Sequence, residues 1–200
     1  MARRRATIGP AITVDLAVKV VTVALLLWAV ANPDLPQFHG KAFTARAILY
    51  PIALIAMPLI WRLTGRRIPF PVVADILIGL PFLIDVLGNA LNLYDSIDRW
   101  DDLNHLVNWG LHTGAIGLLL RHGPWGWRTR VALAFCWAVS SAVLWEFGEY
   151  VTFVPNSPEA ATAYRDTLGD LALGMLGGLI AAVITARLPG LRPYDHNAGA

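Results

Sequence analysis

Six apolar stretches constrain this chain more than any other feature of its sequence. They lie near residues 11–31, 43–63, 72–92, 102–121, 131–152 and 167–187. Each is about 20 residues long, the length at which an α-helix crosses the hydrocarbon core of a bilayer. With 56% hydrophobic and 15% charged residues, the composition excludes an ordinary soluble domain. The sequence predicts an all-α polytopic membrane protein, a single integral membrane domain over residues 1–200 with about six transmembrane helices.

The distribution of lysine and arginine predicts the orientation of this bundle. Eleven of the sixteen fall on one side of the six stretches: Arg3, Arg4, Arg5, Arg62, Arg66, Arg67, Arg121, Arg128, Arg130, Arg187 and Arg192. Because cytoplasmic loops are enriched in these residues, we expect both termini in the cytoplasm and the protein in the cytoplasmic (inner) membrane. The net charge of +2 is too small to indicate a nucleic-acid partner.

The first stretch has two interpretations. Three arginines, an apolar segment and the triplet Ala29-Val30-Ala31 also fit a cleaved signal peptide. The length of the segment and the oppositely charged pair Asp15 and Lys19, spaced i,i+4, favour a permanent helix. Both interpretations leave the rest of the topology unchanged.

Ionisable side chains within the apolar stretches are the candidate functional residues. Charge in lipid is costly, so such groups usually face a bundle interior or a water-filled cavity. In the predicted orientation most of them share the outer half of the membrane. At about 100° per residue they also share one face of each helix; Asp85, Asn89 and Asn92, for example, are spaced i, i+4, i+7. We therefore expect one outward-facing cavity, formed by Asp101, His105, Glu146, Glu149, Asp166 and Asp170, with Asp85, Asn89 and His112 on its wall or below it.

Packing and aromatic residues complete the pattern. Gly174-x-x-x-Gly178 permits close approach of another helix. The spacing serves contacts within one bundle as well as a homo-oligomer, and both remain open. Tryptophan and tyrosine residues near the ends of the stretches, including Trp109 and Tyr94, are typical of the aromatic belts at membrane surfaces.

Three polar motifs carry a family resemblance. The first is Asp101-x-x-x-His105, the second is Trp145-Glu146-Phe-Gly-Glu149-Tyr150, and the third is Arg165-Asp166-Thr-Leu-Gly-Asp170. Their order over the last half of the chain resembles YjdF-like inner-membrane proteins and, more distantly, VanZ-like membrane proteins associated with glycopeptide resistance. The resemblance implies a small polytopic membrane protein of unestablished activity, with Asp101, His105, Glu146, Glu149, Asp166 and Asp170 as the family-type polar residues.

The chemistry of this residue set suggests either metal binding or acid–base catalysis. We take Asp101, His105, Glu146 and Asp170 as candidate catalytic residues, and His105, Glu146 and Asp170 as ligands if a divalent metal ion is the cofactor. A bound metal would polarise a phosphoryl or carbonyl group of a lipid-linked substrate. Without metal, His105 and Glu146 could form an acid–base pair. The chain has no serine nucleophile elbow, HExxH motif or glycine-rich phosphate loop.

Three functions remain open from sequence. The first is a protein that binds or acts on an envelope lipid or lipid-linked precursor, with membrane lipid as the partner. The second is a non-catalytic membrane scaffold held together by its polar residues. The third, a small-solute or proton-coupled transporter, is less favoured because polar residues become sparse beyond His112 and the spans show no inverted repeat.

Overall fold

The fold is described from a computed structural model, which covers residues 9–152, 154 and 158–191, without the side chains of 158 and 159. Within these residues the chain is helical, with no strand. The elements, in chain order, are α1 (Pro10–Ala31), α2 (Phe43–Leu63), α3 (Val72–Ala90), α4 (Leu93–Ser96), α5 (Trp100–Leu120), α6 (Trp127–Thr152), a 3₁₀ turn (Pro158–Ala161) and α7 (Ala163–Arg187).

The six long helices correspond to the six predicted spans, with ends displaced by up to four residues. Five of them are long and apolar enough to cross a membrane. The exception is α5, in which two asparagines and two histidines lower the hydropathy. At the end of α3 the prediction was wrong. The helix stops at Ala90, and Asn92 takes a left-handed conformation with φ 58°, so Asn92 is exposed rather than part of the polar stripe.

Helix α5 lies at the centre of the bundle. It packs most extensively against α7 and also contacts α3 and α6, while α1 and α2 cover the far side of α3. Its buried residues include Asn104, His105 and Trp109. Burial inside the bundle therefore shields from lipid the polar groups that a helix of this composition carries.

Glycines determine how closely α5 and α7 approach each other. A Cβ atom on Gly177 would overlap the carbonyl oxygen of Leu106, and one on Gly174 would overlap the Trp109 ring. A Cβ on Gly178 would overlap Ala138 of α6. The Gly174-x-x-x-Gly178 spacing thus serves helix contacts within one chain.

We expect Gly177→Ala to lower the thermal stability of the purified protein clearly, by about 1–3 kcal/mol, because backbone must move to admit the methyl group. The matched control is Gly169→Ala, also on α7, where a Cβ meets no atom within 4 Å. This control should unfold at or above the parent's temperature, since alanine is the better helix former. Equal melting of the two variants in one detergent would contradict the close α5–α7 contact.

Arginines hold the helix ends together at one end of the bundle. Arg130 donates to the carbonyl oxygens of Ala186 (2.7 Å) and Leu188 (3.0 Å), and Arg121 donates to that of Pro189 (2.9 Å). These bonds satisfy carbonyls left free where α7 ends. The arginines predicted to be cytoplasmic that the structure describes all belong to this end, whereas Arg3, Arg4, Arg5 and Arg192 lie outside the described residues. The cytoplasmic orientation itself stays a prediction.

Helix α1 is joined to the bundle by buried charge. Lys19 donates to Asp15 Oδ2 at 2.9 Å and to Asp75 Oδ2 of α3. Asp15, Val18, Thr22, Leu26 and Ala29 form the buried face of α1. These contacts pack α1 against α3 as a member of the bundle.

Candidate functional site

A cavity of about 300 Å³ opens at the end of the bundle opposite the arginine-rich end. It lies among residues of α2, α3, α5, α6 and the start of α7. Eight of the nine residues predicted from sequence line it: Asp85, Asn89, Asp101, His105, His112, Glu146, Glu149 and Asp166. The ninth, Asp170, is buried beside His105. Side chains from four helices therefore meet at one place, and their role there stays a prediction.

His105 is the centre of this cluster. Its imidazole is buried between α6 and α7, with Nδ1 3.8 Å from Glu146 Oε1. On the other side, Nε2 lies 3.8 Å from both Asp101 Oδ1 and Asp170 Oδ1. An N–H···O hydrogen bond is about 2.7–3.2 Å long, so none of these contacts is one. Nδ1 is buried and has no hydrogen-bond partner among the described residues.

The carboxylates divide into two groups around the imidazole. His105, Glu146 and Glu149 each offer a ligand atom within 4.8 Å of the others, and so do Asp101, His105 and Asp170. The structure thus separates the three ligands predicted from sequence, since Glu146 faces Nδ1 and Asp170 faces Nε2. The first group lies wholly on the cavity wall, whereas Asp170 of the second does not line the cavity.

The 3.8 Å between His105 Nδ1 and Glu146 Oε1 is too long for a direct hydrogen bond and is compatible with two ligands of one cation. Two ligand atoms at about 2.0–2.5 Å from one ion lie about 3–4 Å apart, depending on the angle at the metal. A metal-bound histidine normally donates its other ring N–H to a carboxylate, which fixes the ring orientation. If a cation bound Nδ1, the other ring nitrogen would be Nε2, and Asp170 and Asp101 are the carboxylates next to it.

Asp85 lies on the far wall and is held by partners that the sequence pattern did not indicate. Arg46 donates to both of its oxygens, at 2.8 and 2.7 Å, and the hydroxyls of Tyr50 and Tyr94 donate at 2.7 and 3.0 Å. Asn89 Nδ2 donates to the Asp85 carbonyl at 3.0 Å. Burial and the adjacent Asp85 carboxylate raise the pKa of Tyr94, so its hydroxyl stays protonated and donates. Asp85 is therefore already engaged.

A signal for two of these partners was present in the sequence. Arg46 and Tyr50 are four residues apart and share one face of α2, in the same way as the stripes identified on the other helices. Tyr94 was assigned to an aromatic belt together with Trp109, and that assignment was wrong for both. Trp109 is buried against Gly174, and both residues line the cavity.

The inner boundary of the cavity is formed by His112 and two aromatic rings. Nε2 of His112 lies 3.2 Å from the carbonyl oxygen of Ile78. Its ring centre is 5.4 Å from that of Phe82 and 5.5 Å from that of Trp109. His112 thus belongs to the floor of the cavity and does not continue a polar path.

The charges around the cavity favour a cation. Among the residues that the structure describes, six carboxylates line it: Asp85, Asp95, Asp101, Glu146, Glu149 and Asp166. The lining contains one lysine and one arginine. Lys41 is engaged with Asp95, at 2.8 and 2.9 Å, and Arg46 is engaged with Asp85. Of the other carboxylates in the lining, Asp101, Glu146 and Glu149 lie around His105.

Comparison with known proteins gives a family but no activity. The chain is 32% identical over 111 residues to a protein of Thermotoga maritima named "Uncharacterized protein"; the match covers 53% of this chain and 57% of that protein. No solved structure matches. Residues 14–190 match the family described as "Predicted membrane protein (DUF2238)". Because this match includes all six long helices almost entirely, the chain belongs to the DUF2238 family of predicted membrane proteins.

Proposed function

We propose that this protein binds a divalent cation at His105, Glu146 and Glu149 and, through it, the polar head group of a membrane lipid or lipid-linked precursor. The observation that carries the proposal is the buried Nδ1 atom of His105, which lacks a hydrogen-bond partner among the described residues and faces the Glu146 carboxylate at 3.8 Å. A buried polar atom without a partner is destabilising unless something else supplies one. A cation does so and also neutralises the adjacent carboxylates.

The ligand set narrows the choice of ion. One imidazole and two carboxylates suit Mn²⁺ and Zn²⁺, whereas Ca²⁺ and Mg²⁺ prefer oxygen ligands alone. A cation held by His105, Glu146 and Glu149 would supply Lewis-acid polarisation of a phosphoryl or carbonyl oxygen of a bound head group. In this scheme Asp170 and Asp101 are positioning residues, since they are the carboxylates nearest to Nε2, each at 3.8 Å, and either could accept its N–H once the ring is fixed by a cation.

The location of the cavity supports a lipid as the ligand. The cavity lies at one end of a bundle whose long helices are suited to a membrane, and the basic residues concentrate at the other end. We place the protein in the cytoplasmic membrane with this cavity on the outer side. Head groups of membrane lipids and lipid-linked precursors are at that depth, and the resemblance to YjdF-like and VanZ-like proteins agrees with an envelope role.

The two other functions receive different support. A scaffold role fits the polar groups that are already paired, namely Lys19 with Asp15 and Asp75, and Arg46 with Asp85. It does not account for the unpartnered nitrogen of His105. A carrier needs a polar route across the bundle, and Phe82, Trp109 and His112 form an aromatic floor beneath the cavity.

Metal binding tests the proposal directly. The purified protein, stripped with chelator and exchanged into metal-free detergent, is titrated with Mn²⁺ or Zn²⁺ and analysed by calorimetry and native mass spectrometry. We expect one ion per chain, and at least about a tenfold loss of affinity in His105→Gln, because loss of even an outer-shell partner of a metal ligand costs about that much. His112→Gln is the matched control, because His112 lines the cavity without belonging to either ligand group. Stoichiometric binding that is equal in both variants, or no binding to the parent, would refute the site.

A further inference from the structure

A second, smaller cavity lies beside the first, between α2 and α6. Its volume is about 200 Å³, and its lining is almost entirely apolar apart from the residues where it meets the polar cavity. We call it the α2–α6 groove. It is lined by Ala42, Ala45, Arg46, Leu49, Tyr50, Leu144, Trp145, Gly148, Glu149 and Thr152.

Small residues and the packing of the helices account for this groove. Helix α2 packs on α1 and α3, whereas α6 packs on α5 and α7, so the two helices are not closely packed together. Ala42, just before α2, and Ala45 of α2 face the groove from one side, and Gly148 of α6 faces it from the other. A Cβ atom on Gly148 would meet no atom within 4 Å. Leu49 and Leu144, at 57% and 68% exposure, place the open side of the groove on the outer surface of the bundle.

The groove and the polar cavity are continuous. Arg46, Tyr50, Trp145 and Glu149 line both of them. Lipid chains cover every apolar face of a membrane bundle, but this groove leads from such a face to the carboxylates around His105. A ligand that fits both spaces has a polar group at one end and a hydrocarbon chain at the other.

We infer that one hydrocarbon chain of the bound lipid lies in the α2–α6 groove while its head group occupies the cavity, so that the lipid enters sideways from the membrane. This inference rests on the proposed function. It adds the route by which the lipid enters and identifies the hydrocarbon chain as the part of the lipid that the groove binds. A soluble polar ligand would need no apolar opening toward the bilayer. Membrane lipid is therefore the one occupant to which the geometry points.

Photolabelling tests the inference on the full-length protein. The protein is placed in nanodiscs of phosphatidylethanolamine and phosphatidylglycerol, with a trace of phosphatidylglycerol carrying a diazirine on one acyl chain. After irradiation, labelled peptides are mapped by mass spectrometry. We expect labelling at Leu49 and Leu144 to exceed that at Leu168, which is 50% exposed on α7 near the same end of the bundle.

Plugging the groove provides the decisive comparison. Gly148→Phe should reduce labelling at Leu49 by about tenfold, and Ala45→Phe should do the same from the opposite wall. Gly169→Phe is the control, because a Cβ on Gly169 also meets no atom within 4 Å and Gly169 lines neither space. Only variants that melt with the parent protein are compared. Labelling that is uniform over the bundle, or unchanged in both plugged variants, would overturn the inference.

The metal measurement separates this inference from the proposed function. If Gly148→Phe binds metal with the parent's affinity but loses labelling in the groove, the result supports both the metal site and the lipid route. Groove labelling in a parent protein that binds no metal keeps the lipid route and refutes the metal site. Metal binding without preferential groove labelling refutes the lipid route alone.

Discussion

Replacing Lys19 with methionine is expected to destabilise the protein by about 3–5 kcal/mol, the cost of removing one partner from a buried ion pair. Lys19 is the cation shared by Asp15 and Asp75, which are only 4% and 1% exposed. Without it, two carboxylates remain buried close together. One oxygen of each already lacks a hydrogen-bond partner among the described residues, so neighbouring side chains offer no replacement. Thermal unfolding in one detergent, followed by tryptophan fluorescence, measures the loss.

Removing an acid instead of the lysine should be far milder. Asp15→Asn leaves a one-to-one pair between Lys19 and Asp75, so no charge remains uncompensated. The triple variant Lys19→Met, Asp15→Asn, Asp75→Asn should recover much of the stability lost in Lys19→Met, because it removes the charges together. If Lys19→Met melted with the parent protein, the buried ion cluster would not hold α1 to α3.

The second large effect concerns function rather than stability. With sensitivity of a deletion strain to cell-envelope antibiotics as the phenotype that tests the proposed envelope role, we expect His105→Gln and Glu146→Gln each to abolish complementation by the gene. Glutamine keeps much of the size and hydrogen bonding of either side chain but lacks its charge and its proton chemistry. Because both native residues face an open cavity and neither shares a direct hydrogen bond with the other, melting of the purified variants should stay close to that of the parent.

This comparison separates a working site from a scaffold. If the cluster only holds helices together, resistance and melting temperature should fall in proportion across the variants. His112→Gln provides the control at a cavity residue outside both ligand groups. Normal melting with full resistance in His105→Gln and Glu146→Gln would contradict both interpretations, since these residues would then tolerate the loss of their chemistry.

Helix existence and approximate boundaries could be predicted because they depend on local patterns. Apolar length alone identified all six long helices, including α5, which falls short of the hydropathy of a typical span. The boundary error that removed Asn92 from the polar stripe arose because Asn92 takes a left-handed conformation in a sequence that still fits helical spacing. Asn92 keeps the spacing of the polar face of α3 even though the helix has already ended. Periodicity alone therefore cannot show where the helix stops.

The residues that gather around the candidate site could be predicted from sequence where the cost of burying a charge identifies them. Charged side chains inside apolar stretches are conspicuous, so hydropathy and spacing are enough to identify Asp85, His105, Glu146 and Asp170. Arg46 and Tyr94 escape this criterion, because both lie near helix ends, where a basic or aromatic residue is ordinary. Their contacts with Asp85 identify both as part of the cavity wall, and for Arg46 the four-residue spacing to Tyr50 was the one earlier sign.

By itself, the sequence determined the helical membrane architecture and the position of the polar groups along and around each helix, because hydropathy and the 100° turn per residue are properties of one helix. The tertiary structure decided which groups face each other, and it divided the carboxylates between the two nitrogens of His105. It also opened the groove between α2 and α6. These features depend on the rotation and spacing of separate helices, which are set by contacts such as Gly177 against Leu106 that no periodicity encodes.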